Sequence, residues 1–218
     1  MTQLAAADEN PAVTDTQLDR LDAAVSDLAR HGFRPRWIHG SNGAGLPFLR
    51  PTHTLARVGL LLYGLKPRPL APAVEVQPVM TLVGRIVLIR DVAPGAAVSY
   101  GGRWVAARRS RIATVPLGYA DGVPRTDAMR EGGAFSLAGL RARVAGTVCM
   151  DLTMLDVTDR PDVREGDEAV VFGDDPTAWE VGEWAGTNAW QVLTSVGSRV
   201  PRLYVENGQI VGVESRYS

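Results

Sequence analysis

Apolar and polar positions in the first seventy residues predict an α/β segment. Thr14-Asp15-Thr16-Gln17 has the form of a capping box, in which a Thr hydroxyl and a Gln side chain satisfy free helix N–H groups. Leu18, Leu21, Val25 and Leu28 then recur on one helical face, and Gly32 supplies a stop. Arg36–His39 reads as a short buried strand running into the glycine-rich loop Gly40–Gly45. A second apolar run, Leu55–Leu65, is closed by Lys66-Pro67-Arg68-Pro69. Within Leu65–Pro78 the prolines 67, 69, 72 and 78 stop helix and sheet alike, which marks a linker or domain boundary.

Beyond that point the period shortens. Val79–Arg90 alternates in β fashion and Asp91–Gly95 makes a turn. Val98–Ala107, Ile112–Leu117, Ala134–Val144, Thr147–Val157, Glu168–Phe172 and Ile210–Glu214 read as further strands. Short strands divided by Gly/Pro turns indicate a β-barrel or sandwich. Pro176–Asn188 and Trp190–Gly197 have helical character. The expected class is α+β, with an α/β segment over residues 1–70 and a mainly β domain over 71–218.

Composition narrows the function. A hydrophobic content of 45% with 22% charged residues supports a real core. The net charge of −1 argues against general nucleic-acid binding, which needs a basic surface. No apolar run approaches the roughly 18–20 residues that span a bilayer, and the N-terminus lacks signal-peptide form. One cysteine, Cys149, cannot form an internal disulfide, so the expected compartment is the cytoplasm. The chain has a single lysine, Lys66; its other strongly basic side chains are arginines.

The three histidines, His31, His39 and His53, lack the paired spacing of a zinc site, so no metal is expected. Cys149 lies in a strand-like apolar run and reads as buried and inert. The Gly40–Gly45 loop can cradle a phosphate with its amides, or be an ordinary strand-to-helix turn. Four segments stand out: Val98-Ser99-Tyr100-Gly101-Gly102, Leu117–Arg125, Gly146-Thr147-Val148-Cys149-Met150-Asp151 and Arg199-Val200-Pro201-Arg202. Taken singly, each tyrosine also fits a packing role at a strand edge.

In order and spacing these four segments resemble the β-domain of the alanine racemases, which carries VSYG, GYADG, CMD and RVPR motifs. Upstream, Arg57-Val58-Gly59 and Leu62–Leu65 resemble the end of that family's barrel. His39–Gly45 resembles its phosphate loop, and Met1–Asp8 a barrel strand. The resemblance therefore implies an incomplete (β/α) barrel segment followed by the C-terminal β-domain. Opening such a barrel exposes strand edges, so residues 1–70 are expected to pack sparsely or to cover themselves by association.

The resemblance also implies a function: pyridoxal 5'-phosphate-dependent interconversion of L- and D-alanine, supplying peptidoglycan, in a homodimer. Tyr100 is then the catalytic base for one face of the substrate, acting in the partner's active site. Tyr119 and Met150 hold the substrate carboxylate. Arg57 faces the pyridine nitrogen, Gly59 and Leu60 offer amides to the phosphate, and Gly43 and Trp190 occupy two further phosphate-contact positions. A tyrosine, with an ordinary pKa of about 10, must be lowered to act as a base, and arginines in a dry site do this.

Four departures stand beside this. The family's other base is an imine-forming lysine, and Lys66 matches a position after the barrel instead. Gln3 replaces a stacking histidine, Gly43 a serine and Trp190 a tyrosine. The chain is thus expected to be inactive alone. The alternatives are a non-catalytic module for dimerisation or regulation, and a racemase for serine or another small amino acid.

Overall fold

The computed structural model describes residues 1–68 and 74–215. Pro69 and Pro72 of the expected linker lie outside them. Contacts divide the chain into two compact units, Met1–Met80 and Thr81–Ser218, and the architecture is α+β.

The first unit is built on helix α1, Pro11–Arg30. Its cap is Asn10, whose side chain accepts from Val13 N, with Pro11 at the first turn. This corrects the capping box expected at Thr14–Gln17. Pro11 has no N–H to lose at that position and is preset for helix, so the helix starts one turn early. Thr14 Oγ1 instead bonds back to Asn10 O, and Gln17 reaches out to the backbone of Gln3 and Ala5. Leu18 is fully buried with Leu4, Ala7 and Ala44.

The strand expected at Arg36–His39 does not form. Thr2 N donates to His39 O and Thr54 N to Ile38 O, and these isolated bonds make no ladder. Trp37 is exposed. Leu55–Leu65 contributes a short 3₁₀ helix, Gly59–Tyr63, which buries Leu60 and Leu61. Phe33, Leu49 and Leu62 are exposed as well.

The second unit holds a seven-stranded antiparallel sheet. Its strands are β1 Leu82–Arg85, β2 Leu88–Val92, β5 Ser110–Val115, β6 Ala134–Leu137, β7 Leu140–Val144, β8 Thr153–Asp156 and β9 Glu168–Phe172. The spatial order is β1-β9-β6-β7-β8-β5-β2. The two outermost strands are consecutive in sequence, with only Ile86 and Val87 between them. Ile86 N donates to Asp167 O beside β9, while Val87 N donates to Thr114 O in β5. One bent segment thus pairs with both ends of the sheet, which curls into a small barrel and leaves little open edge. Phe135, Leu137, Leu155, Val115 and Phe172 fill its core.

Several expected strands are broken: Ala134–Val144 turns at Ala138-Gly139 between β6 and β7, and Val79–Arg90 divides at Ile86-Val87 into β1 and β2. Val98–Ala107 is a hairpin: β3 Ala97–Val98 and β4 Trp104–Val105 flank a turn at Tyr100–Gly102. Left-handed backbone at Ser99, Gly101 and Gly102 cannot continue a strand. Thr147–Val157 is strand only over Thr153–Asp156, because the carbonyls of Thr147, Cys149 and Met150 accept from other loops. Helix α2, Asp127–Gly132, precedes β6; α3, Ala178–Ala185, and α4, Ala189–Ser195, follow β9. A separate hairpin, β10 Arg202–Glu206 and β11 Gln209–Glu214, ends the described chain.

Phe135 is buried and Leu140 on the adjacent strand is 57% exposed. Phe135→Ala is expected to cost about 3–5 kcal/mol, against roughly 0.5 kcal/mol or less for Leu140→Ala. Urea unfolding of the two variants checks this, and equal losses would place the core elsewhere.

Candidate active site

The loop Gly146–Leu152 is the hub of the second unit. Val115 of β5 faces Thr153 of β8 in register, so the segment leaving β5 and the loop entering β8 emerge together. Thr153 Oγ1 donates to Leu117 O at 2.7 Å. Tyr119 N donates to Cys149 O and Ala120 N to Met150 O, both at 3.0 Å. Gly118 permits this approach: a Cβ there would lie 2.3 Å from the carbonyl oxygens of Cys149 and Met150. Tyr119 and Met150, two residues of the expected carboxylate site, are therefore laced together by their backbones.

A charged network locks the same loops. Asp121 is buried, accepts from Gly118 N at 2.9 Å and receives Arg199 Nε at 2.6 Å. Arg199 also pairs with Asp151. Asp121 first, and then Asp151, raise the Arg199 pKa further above its ordinary value, so the guanidinium stays charged. Asp121, Asp151 and Arg199 lie inside the singled-out motifs, yet their ionic roles were not read from sequence. Two acids and one arginine shared among three separated motifs were the available signal.

Tyr100 joins from the other side. Its carbonyl accepts from Thr147 Oγ1 at 3.0 Å, and Ser99 Oγ donates to Thr147 O at 2.6 Å. Its own side chain is 70% exposed. It borders a cavity of about 400 Å³ with Arg103, Arg125, Asp127 and Arg130. Arg103 and Arg130 both pair with Asp127, and Arg125 stacks over the Tyr119 ring at 5.3 Å. Three arginines thus line the cavity beside Tyr100, two of them paired with Asp127, and within this chain the site is open to water. Cys149 is half-buried in the loop rather than inert in a strand, with Sγ 3.5 Å from Ser99 Oγ. Trp190, on α4, is exposed and meets Trp179 edge-on at 5.3 Å between ring centroids.

The first unit gathers its own polar cluster. Arg57 bonds His39 Nδ1 and Gln3 Oε1, both at 2.6 Å, with weaker contacts to Thr2 O and Gly40 O. Desolvation, and then Arg57, lower the His39 pKa, so His39 accepts from Arg57 as a neutral ring. Gln3, expected only as a departure, is thus an anchor for Arg57. Gly43 packs on the next loop, where a Cβ would lie 2.8 Å from Val58 O. The first bond of the following 3₁₀ turn is Leu61 N to Val58 O, so the Gly59 and Leu60 amides precede the bonded part of the turn. An arginine fork, a glycine loop and two turn amides fit a phosphorylated pyridine, with no hydroxyl at position 43. Lys66 Nζ sits 3.2 Å from Glu75.

Among the described residues, no group of three or more His, Cys, Asp or Glu side chains is placed to hold a metal, and no helix is long and apolar enough to cross a membrane. The family model for the alanine racemase C-terminal domain matches residues 79–204, and that for the N-terminal domain matches residues 1–67. The alanine racemase of Citrifermentans bemidjiense is 42% identical over 205 residues, covering 90% of this chain and 54% of that protein. That of Sorangium cellulosum is 43% identical over 218 residues, covering 94% and 56%. The chain thus spans about half the length of the curated relatives it matches. A Clostridium difficile alanine racemase in complex with cycloserine superposes with a TM-score of 0.90 at 32% identity, covering 98% of this chain and 58% of that one.

Arg199→Gln is expected to free the Tyr119 and Ala120 amides, raising their hydrogen-exchange rates by roughly tenfold; unchanged rates would show that the loops hold without the ion pair. A second expectation concerns pH. Because the folded-state pKa of His39 lies below the ordinary value of about 6.5, the unfolded chain takes up the proton more readily. Its contribution to stability is complete above about pH 6.5 and is lost as the pH falls. Denaturation midpoints between about pH 7.5 and 5 should fall more steeply for the parent chain than for His39→Gln, and identical slopes would contradict this.

Proposed function

Because the chain belongs to the alanine racemase family, we propose that it forms part of a pyridoxal-phosphate-dependent racemase that interconverts L- and D-alanine. The observation that carries this reading is the hub loop, which ties Tyr100, Tyr119 and Met150 to one another. Racemisation removes the α-proton from one face and returns one on the other, so two bases are needed. Tyr100 is the base for one face, its phenolate taking or returning the proton at Cα. Tyr119 and Met150 hold the substrate carboxylate, which fixes Cα relative to the phenol. Tyr100 is exposed on its own chain, which suits work in the active site of a second copy in a cytosolic homodimer. Its product is D-alanine for peptidoglycan.

In the first unit Arg57 would face the pyridine nitrogen, while Gly59, Leu60 and the Gly43 loop would take the phosphate. Bound pyridoxal phosphate makes the α-proton acidic by drawing electron density from Cα, less strongly when its nitrogen faces an arginine. Arg57 keeps that nitrogen free of a proton and so limits side reactions.

The second base is the cofactor-bonding lysine, and a specific observation favours a narrower role for these 218 residues alone. Their single lysine, Lys66, is paired with Glu75. Activity then requires a lysine from another polypeptide segment; without one the chain is a non-catalytic β-domain module. Mixing the purified chain with pyridoxal phosphate is expected to give reversible binding, weakened by Arg57→Ala. It should give neither a borohydride-trappable adduct at Lys66 nor racemisation of alanine. A trapped adduct with turnover would overturn the dependence on a second lysine, and no binding at all would overturn the cofactor reading.

A further inference from the structure

Ser99 has φ 65° and ψ −179°, a backbone region that is essentially reserved for glycine. A serine persists there only if its surroundings over-determine it. Two hydrogen bonds do so, and they run in opposite directions. Ser99 Oγ donates to the Thr147 carbonyl at 2.6 Å, and Thr147 Oγ1 donates to the Tyr100 carbonyl at 3.0 Å. Gly146 closes the contact, since a Cβ at that position would lie 2.7 Å from Val98 O and 2.8 Å from the Ser99 Cβ. On the other flank Val98 is anchored by burial against Ile112 and Ala145.

The Tyr100 side chain is mostly exposed, so its placement depends on its backbone. We propose that Ser99 and Thr147 form a reciprocal clamp that positions Tyr100, with the strained Ser99 backbone setting the direction in which the phenol leaves the hairpin. This rests on the reading of Tyr100 as a base, for which Ser99 and Thr147 are positioning residues. A serine does here what glycine cannot: it adopts the turn and spends its hydroxyl on holding it. A threonine at 147 likewise supplies both halves of its side of the clamp, a carbonyl and a hydroxyl. Serine in its place retains both groups.

The test uses the whole chain labelled with 3-fluorotyrosine, the Tyr100 signal being assigned by its loss in Tyr100→Phe. In the parent chain that signal is expected to be single and displaced from the position of the free amino acid. Thr147→Val removes one bond and Ser99→Ala the other. Each should split the Tyr100 signal or move it towards the free position, leaving the Tyr204 signal in place. Thr147→Ser should restore the parent spectrum, a rescue that a purely structural role for bulk at 147 does not produce. If either removal variant unfolds, as a collapse of all five tyrosine signals would reveal, the other decides. Should both unfold, Thr147→Ser decides alone: a parent spectrum supports the clamp and an altered one overturns it. An unchanged Tyr100 signal in a folded Thr147→Val or Ser99→Ala chain overturns the clamp. Because the readout needs neither cofactor nor turnover, failure of the clamp and failure of the racemase reading are distinguishable.

Discussion

Arg199 lies between two carboxylates, and the geometry of the second unit's loops depends on that arrangement. A buried carboxylate is costly unless charge and hydrogen bonds compensate it. Asp121 is almost fully buried, and its two oxygens are met by Arg199 and by the Gly118 amide. Once Nε and Nη2 of Arg199 are fixed on Asp121, the same Nη2 also donates to Asp151. Three segments far apart in sequence become one electrostatic unit, and Tyr119 and Met150 are carried on it. Breaking the unit from one side leaves a buried charge behind, which is why the loop geometry is stiff rather than merely favoured.

The barrel makes this unit possible. Because Val115 and Thr153 are register partners, the chain leaving β5 and the chain entering β8 are neighbours before any side chain acts. The bent segment through Ile86 and Val87 then joins the two ends of the sheet. A flat sheet of the same strands would leave β1 and β2 as open edges. Curling removes most of that edge and turns β5 and β8 into a rigid base for the loops.

Much of this was legible in the residues, for physical reasons that differ by element. Glu168–Phe172 is readable as a strand because a short apolar run lies between Gly166 and Gly173; it forms as β9 with the same bounds. Ile210–Glu214 was seen without its partner β10, although Asn207-Gly208, both at positive φ, is a strong hairpin signal. The Thr147–Val157 run misled because Val148 is apolar and buried, which looks like a strand position. Its backbone groups are claimed by Tyr119 and Ala120 instead, and such a long-range claim leaves no periodic trace. The start of α1 has a local cause, since Asn10-Pro11 is itself a cap signal four residues ahead of the Thr14–Gln17 box. Tyr100, Tyr119 and Met150 were found through motif order. Asp121 and Arg199, which hold them, stand inside the same motifs, but their pairing is long-range and leaves no trace along one chain.

The chain uses arginine for two opposed purposes. Arg199 is surrounded by carboxylates, so its charge is spent inside the protein and its role is structural. Arg57 is held by neutral acceptors, the Gln3 amide oxygen, the His39 ring nitrogen and backbone carbonyls. Those contacts fix the planar fork without cancelling its charge. A glutamine is well suited to this, since its amide oxygen accepts while adding no charge and no proton that titrates near neutrality. Depressing the His39 pKa has the same result, because a protonated ring would lose the acceptor that Arg57 needs. One small unit thus carries a fork whose charge is still available and turn amides suited to an anion.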